Sequence, residues 1–383
     1  MPTPGHPIEV FLAFLRLGLT SFGGPVAHLA HFRRDLVHGR GWISEADYAS
    51  LVGLAQVLPG PTSSQVGVLM GWRRAGPWGA LAAWTAFTLP SALLLAGAAA
   101  IALQQGPGPW LAGLLAAVVA VVAVAVQGMA RSLCPDLPRL LIAGGVALVC
   151  GIAPGPWTPL VALGLAAVAG LGLPRPPTPP LAAGTGLPSR RQAVVLLALA
   201  VVLGGVTWWP WDHPWAVVTR TCVTAGGLVM GGGHVVLPLL RDPLVGAGVL
   251  DDGRFLAGYG LAQAVPGPLF TVAAWIGMVV GGPLLAVLAV VAIFTPGVLL
   301  ALGAVRFHQD LLARPRLAAA SLGIQAGVVG LLAAAWGRTI VPEGVTSPLT
   351  ALLAVAATVV LIHGRVPVGI IVLGCAGITA LGG

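Results

Sequence analysis

Twice in this chain, 207 residues apart, a Pro-Gly-Pro triplet interrupts a long apolar run: Pro59-Gly60-Pro61 and Pro266-Gly267-Pro268. Proline fixes φ and removes a hydrogen-bond donor, so a helix cannot run through either triplet undisturbed. Inside a bilayer each backbone polar group must be satisfied by protein, and broken helices persist there only where they are buried or line a cavity. The runs themselves demand a bilayer. Only 8% of the residues are charged and 57% are hydrophobic, with a mean hydropathy of +0.96, whereas soluble domains are near a quarter charged. The expectation is an all-α polytopic membrane protein.

Hydropathy gives about 13 transmembrane helices, at 8–25, 46–72, 77–103, 110–130, 140–153, 158–173, 192–209, 215–240, 254–280, 284–305, 317–337, 347–362 and 367–382. A Pro-rich stretch, 174–191, reads as an extended spacer. It separates an N-terminal half, 1–173, from a C-terminal half, 192–383, that opens with one additional helix, 192–209.

The halves are related. Gly53-Leu54-Ala55-Gln56 before the first triplet recurs as Gly260-Leu261-Ala262-Gln263 before the second. Upstream, Phe22-Gly23-Gly24-Pro25 aligns with Met230-Gly231-Gly232-Gly233, trailed by His28 and His234 respectively. Downstream, Gly76-Pro77 and Pro90 align with Gly282-Pro283 and Pro296. With six spans per repeat and 192–209 unmatched between them, parity makes the second repeat enter from the opposite face. That is an inverted repeat, as in many secondary transporters. If the Pro-Gly-Pro elements re-enter instead of crossing, the same parity makes the halves parallel.

All 19 basic residues are arginine. They are scattered singly or in small groups between apolar runs, which excludes a nucleic-acid surface. Most fall in the connections that begin at 73, 131, 174, 241, 306 and 363, so these should be cytoplasmic and the N-terminus inside. The loop 26–45, with Arg33, Arg34 and Arg40, lies on the wrong side by this count, and a re-entrant first triplet would remove the conflict. No basic n-region precedes the first span, so no cleaved signal peptide is expected, and a bacterial inner (plasma) membrane is the default setting.

The broken helices carry the chemistry. After Pro61, the N–H groups of Thr62, Ser63 and Ser64 are left without intrahelical acceptors. Three hydroxyls, Gln65 and the helix dipole join them to favour an anion. A glycine at position 60 would let the anion approach the backbone. In the second copy Leu269 and Phe270 replace the first hydroxyls and only Thr271 remains polar, so the first site should dominate. Arg16 and Arg220 lie within spans, where each must face protein, water or an anion, and pairing with Glu9 is the structural alternative for Arg16. His28, His31 and His38 lack the companion ligands of a metal site. Trp208, Trp209, Trp211 and Trp215 read as an interfacial belt. Cys134, Cys150, Cys222 and Cys375 have neither metal spacing nor pairing spacing. No HExxH, paired mid-span aspartates or Ser/His dyad points to an enzyme, and no cofactor is called for.

Leu17-Gly18-Leu19-Thr20-Ser21-Phe22-Gly23-Gly24-Pro25 with Ala27-His28, followed by Leu58-Pro59-Gly60-Pro61, resembles the long-chain chromate ion transporter (CHR) family across both halves. The second copy departs from that pattern, with Met230 where phenylalanine is usual. The resemblance implies a two-half carrier that exports chromate, relates to sulfate, and confers chromate resistance. The expected substrate-binding set is Arg16, Gly23, Gly24, Gly60, Thr62, Ser63, Ser64, Gln65, Arg220, Gly232, Gly267 and Thr271, with Pro59, Pro61, Pro266 and Pro268 breaking the helices. A sulfate or other oxyanion carrier and an anion channel are the alternatives, and a homo-oligomer is compatible with the sequence. An inside-negative potential expels a dianion with about 4.6 kcal/mol per 100 mV. All eleven acidic residues lie in loops or at span ends, which suits efflux better than proton-driven uptake.

Overall fold

A computed structural model describes residues 5–22, 24–106, 108–153, 158–174, 187–207, 213–230, 233–307, 314–364 and 366–382. Helices dominate them. Four helical stretches are long and apolar enough to cross a membrane: Thr62–Gln104, Trp110–Leu133, Leu269–Phe307 and Arg316–Gly344. The spacer's residues 175–186, like Gly23, Gly232, Trp208, Trp209 and Trp211, lie outside the described residues.

Each repeat opens with two helical hairpins. In the first, α1 (Pro7–Thr20) carries Glu9 in its first turn, which holds Arg74 at 3.0 Å, and Ser21 caps its C-terminal end. The chain then turns, and α2 (Gly24–Phe32) followed by a π turn (Arg33–Gly39) leads back. Arg40 and Arg74 both stack on Trp42, so the returning limb reaches the face from which α1 set out. The second hairpin pairs α3 (Glu45–Val57) with the first part of α4 (Thr62–Gln105). Its open end is closed by the 3.1 Å Asp47–Arg73 ion pair, which puts Pro59-Gly60-Pro61 at the tip. The span expected at 46–72 is therefore two half-length helices that return to one face. Pro61, with no N–H to lose, is the N-cap of the second limb.

At Ala75 and Gly76 (φ +62°) α4 leaves helical geometry and folds back, with Gly71 against Gly79. Only glycine lets the backbones approach so closely. The long limb of α4 then runs to the opposite end of the molecule, where its Leu95 and Ala99 join a core shared with Leu244 and Leu250. Next come α5 (Trp110–Leu133), α6 (Leu137–Ile152) and α7 (Thr158–Gly170).

After α8 (Arg190–Val206), which has no counterpart, the plan repeats. α9 (Pro214–Leu228) and α10 (Val236–Gly246) form one hairpin. α11 (Asp252–Ala264) pairs with the start of a second kinked element, where a 3-10 turn, Leu269–Thr271, leads into α12 (Val272–Ala304). The Trp275 indole donates to the Arg254 carbonyl at 2.9 Å, closing that hairpin's open end. The kink recurs at Gly281 and Gly282 with φ −152° and +76°, against −143° and +62° at Ala75 and Gly76. α13 (Pro315–Ala335), α14 (Pro348–His363) and α15 (Val368–Gly382) complete the repeat.

The repeats are inverted. Ala301, Leu302 and Val305, at the far end of α12, pack in the core that holds Val37, Trp42 and Ile43, beside the face where α1 begins. The parity argument needs one correction. The Pro-Gly-Pro elements form hairpins, yet the halves are not parallel, because the α1–α2 and α9–α10 segments also turn back and restore the odd count. The conflict over loop 26–45 disappears with it, since Arg40 and Arg74 share Trp42 on one Arg-rich face. The connection beginning at 241, expected on that face, lies instead on the opposite one because the α9–α10 hairpin returns there.

Candidate functional site

The two Pro-Gly-Pro tips meet the helix breaks of the opposite repeat near the centre of the molecule. Gly60 N–H donates to the Val229 carbonyl at 2.6 Å, beyond the end of α9, and Gly267 N–H donates to the Ser21 carbonyl at 3.0 Å, beyond the end of α1. Both glycines have φ that L residues rarely adopt, +129° and +110°. A Cβ on Gly60 would sit 2.7 Å from Gly297 Cα, and one on Gly267 would sit 2.8 Å from Ser91 Oγ. Each tip therefore rests on the long helix of the other half, next to Pro296 or Pro90. The expected role of Gly60 as an open approach for an anion is corrected here: Gln65 and Gly297 fill that space.

Around the first tip, Thr62, Ser63, Ser64 and Gln65 are all buried. Among the described residues no backbone carbonyl accepts from the N–H of Thr62, Ser63 or Ser64. The Gln65 amide donates to the Pro59 carbonyl (2.7 Å) and, across the halves, to the Gly297 carbonyl (3.1 Å). Ser63 Oγ lies 3.3 Å from His28 Nδ1. Ser64 Oγ, His28 Nε2 and Gln65 Oε1 are buried with no partner among the described residues. Unmatched buried polar atoms are costly, and several in one place mark a region that a polar ligand or water completes.

The second tip differs. Thr271 is buried and its hydroxyl donates to the Pro268 carbonyl of its own turn at 2.7 Å, which leaves it unavailable. Leu269 and Phe270 are buried and apolar. Gly24 lies nearby at φ +75°, at the start of α2.

Neither arginine joins the tips. Arg16 is exposed on the outer face of α1, and Glu9, its alternative partner, is held by Arg74. Arg220 borders a recess of about 840 Å³ on the face opposite the Arg-rich one, together with Arg241 and Arg338. The three N-terminal histidines contact different partners: His28 meets Ser63, His31 meets Ser21 Oγ at 3.1 Å, and His38 meets Glu45 at 3.4 Å. Trp215 sits at the start of α9 against Gly281.

Sequence reasoning passed over His28, His234, Tyr259 and Gln263 as site residues. Tyr259 Oη lies 2.8 Å from His234 Nδ1, and Gln263 Nε2 lies 3.4 Å from the same nitrogen. The signal was present. The two histidines follow the glycine clusters at matched positions, and Gln263 belongs to the duplicated Gly-Leu-Ala-Gln motif.

Comparison with known proteins agrees with this duplication. The chain matches the family description "Chromate transporter" twice, over residues 8–171 and 215–381. It is 30% identical to a chromate transport protein of Pseudomonas aeruginosa over 87% of this chain and 81% of that one. It is 27% identical to the chromate transport protein of Cupriavidus metallidurans over 70% of this chain and 66% of that one. An uncharacterized transporter of Bacillus subtilis aligns with only 33% of this chain, but over 64% of its own length and at 29% identity. No solved structure matches. With two matched segments that together span most of its length, enclosing the hairpins and their interlocked tips, the chain belongs to the chromate transporter family.

Proposed function

We propose that this chain carries chromate out of the cytoplasm across the inner membrane and so confers chromate resistance, with the membrane potential assisting. Family membership supports chromate as the transported anion. The observation that carries the site is the buried set at the first tip: three N–H groups without backbone acceptors beside unpartnered Ser64 Oγ and His28 Nε2. A tetrahedral dianion offers several acceptor oxygens to such donors, and charge-assisted hydrogen bonds are about twice as strong as neutral ones. The substrate seat comprises Thr62, Ser63 and Ser64, with Gln65 bracing the tip. Arg16 has no part in it. Arg220 serves the recess on the far side.

The interlocked tips favour a carrier over an open pore, because two inter-half hydrogen bonds close the centre. Arginines 33, 34, 40, 73 and 74 crowd one face, which is the cytoplasmic face on the positive-inside rule, and α1 starts there beside Arg74. Inside-negative potential then drives a dianion outward with about 4.6 kcal/mol per 100 mV. The test is radiolabelled chromate and sulfate flux in proteoliposomes with an imposed potential of either sign. Saturable chromate movement toward the positive side supports the reading, sulfate preference would shift the substrate, and single-channel currents would replace carrier by channel. Orientation is read separately. A cysteine introduced by Ser189→Cys should resist an impermeant thiol reagent in intact cells, and ready labelling would invert the topology.

A further inference from the structure

His234 sits on a 3-10 turn, Gly233–Val235, at the break between α9 and α10. Its Nδ1 faces two groups, Tyr259 Oη at 2.8 Å and the Gln263 amide nitrogen at 3.4 Å. An amide NH₂ can only donate, so Nδ1 is the accepting nitrogen and the neutral ring carries its proton on Nε2. That Nε2–H has no partner among the described residues, and the Gln263 amide, which also hydrogen-bonds Tyr259, commits its other hydrogen only to the long 3.4 Å contact with Nδ1. Both side chains border a cavity of about 210 Å³, with Gly24 of the first repeat and Gly267 of the second. A water needs only about 10–15 Å³ of such space, so one tetrahedral oxyanion fits with several waters. None of the bordering residues is acidic, and the remaining wall is largely apolar, as at Val121 and Val124. Hydrogen bonds from donors in such surroundings are strengthened. Leu361 and Val368 also border the cavity, on either side of the α14–α15 connection, which the alternating order of α12 to α15 puts on the Arg-rich side of the tip.

We propose that this cavity is a second oxyanion site, distinct from the first tip and entered from the Arg-rich face, in which the His234 Nε2–H and the Gln263 amide hold one tetrahedral dianion. Among the described residues the first repeat has no such arrangement. Gln56, the counterpart of Gln263, is exposed, and Val52 stands where Tyr259 does. This inference rests on the oxyanion-carrier reading and assigns it a loading position.

A thiol introduced by Leu361→Cys reports on the cavity. In inside-out vesicles it should react with an anionic methanethiosulfonate, and modification at position 361 is followed by mass spectrometry to separate it from the native cysteines. Sulfate is the protecting anion, since chromate oxidises thiols. Sulfate, and not chloride, should slow labelling at least fivefold. Adding Gln263→Glu, nearly isosteric but anionic, should remove the protection, whereas Gln56→Glu should leave it within twofold. His234→Phe should also remove it. The proposal falls if labelling is absent from this side, if sulfate gives no protection, or if the folded Gln263→Glu chain is protected like its parent. Chromate flux through the Leu361→Cys chain separates the two readings: flux without protection removes only this cavity's role, and absence of flux in the unmodified chain removes the carrier reading itself.

Discussion

The two Pro-Gly-Pro tips have the same backbone and opposite chemistry. Each has a left-handed glycine whose N–H is taken by the other repeat, and each stands one short step before a kinked long helix. The first continues as Thr62-Ser63-Ser64-Gln65, the second as Leu269-Phe270-Thr271-Val272. At the first, polar side chains fill the space beside the glycine. At the second, apolar side chains fill the helix start and the polar groups have moved to His234 and Gln263, around a cavity. Duplication preserved what glycine and proline dictate to the backbone, and left the side chains free to differ.

Exchange of the glycines tests that shared backbone most severely. Gly60→Val should abolish chromate uptake into inverted vesicles, because its Cβ meets backbone, Gly297 Cα, and the φ of +129° strains any L residue. Gly267→Val should be harmful through the same strain, but Gly267→Ala should be the milder of the two alanine variants, since Ser91 Oγ can rotate away. Equal damage from the two alanine variants, at equal membrane abundance, would show that the neighbours do not matter. Ser63→Ala should weaken apparent chromate affinity about tenfold, the equivalent of ~1.4 kcal/mol. Thr271→Ala should change it little, because that hydroxyl serves its own turn. The reverse ranking would move the substrate seat to the second half.

Gln65→Leu isolates the inter-half bond. Losing its donor to the Gly297 carbonyl should lower stability by about 1–3 kcal/mol, read as a lower Tm in detergent, and no equivalent loss exists at Val272. An unchanged Tm would mean that the tips are held by their glycines alone. The smallest effect is expected at Arg16. Arg16→Ala should leave flux within twofold, as an exposed side chain on the outer face of α1, and a large loss would bring that arginine back to the substrate.

The sequence exposed the repeat because its landmarks are glycines and prolines, whose backbone demands survive without knowledge of neighbours. It also located the broken helices and the polar first tip. The hairpin geometry was beyond it, since hydropathy cannot distinguish one crossing of 46–72 from two half-helices joined at Asp47 and Arg73. Arg16 misled for a related reason. Its depth in an apolar run could be read, but the side of α1 on which it lies depends on which face of α4 takes Gly18. The His234–Tyr259–Gln263 cluster needed two segments brought together, the turn at Gly233–Val235 and α11, and only His234 and Gln263 fall within duplicated motifs.

The crossed glycine bonds also bear on how the protein is made. Gly60 leaves the ribosome well before Val229, the carbonyl that its N–H requires. At about 5–20 residues per second the gap is roughly ten to thirty seconds. Through that interval the first half must sit in the bilayer with its centre incomplete, and its Ser21 carbonyl waits longer still, until Gly267 has been made. A chain stopped at the Pro-rich spacer should be a ready substrate for membrane proteases, and separately expressed halves should protect each other.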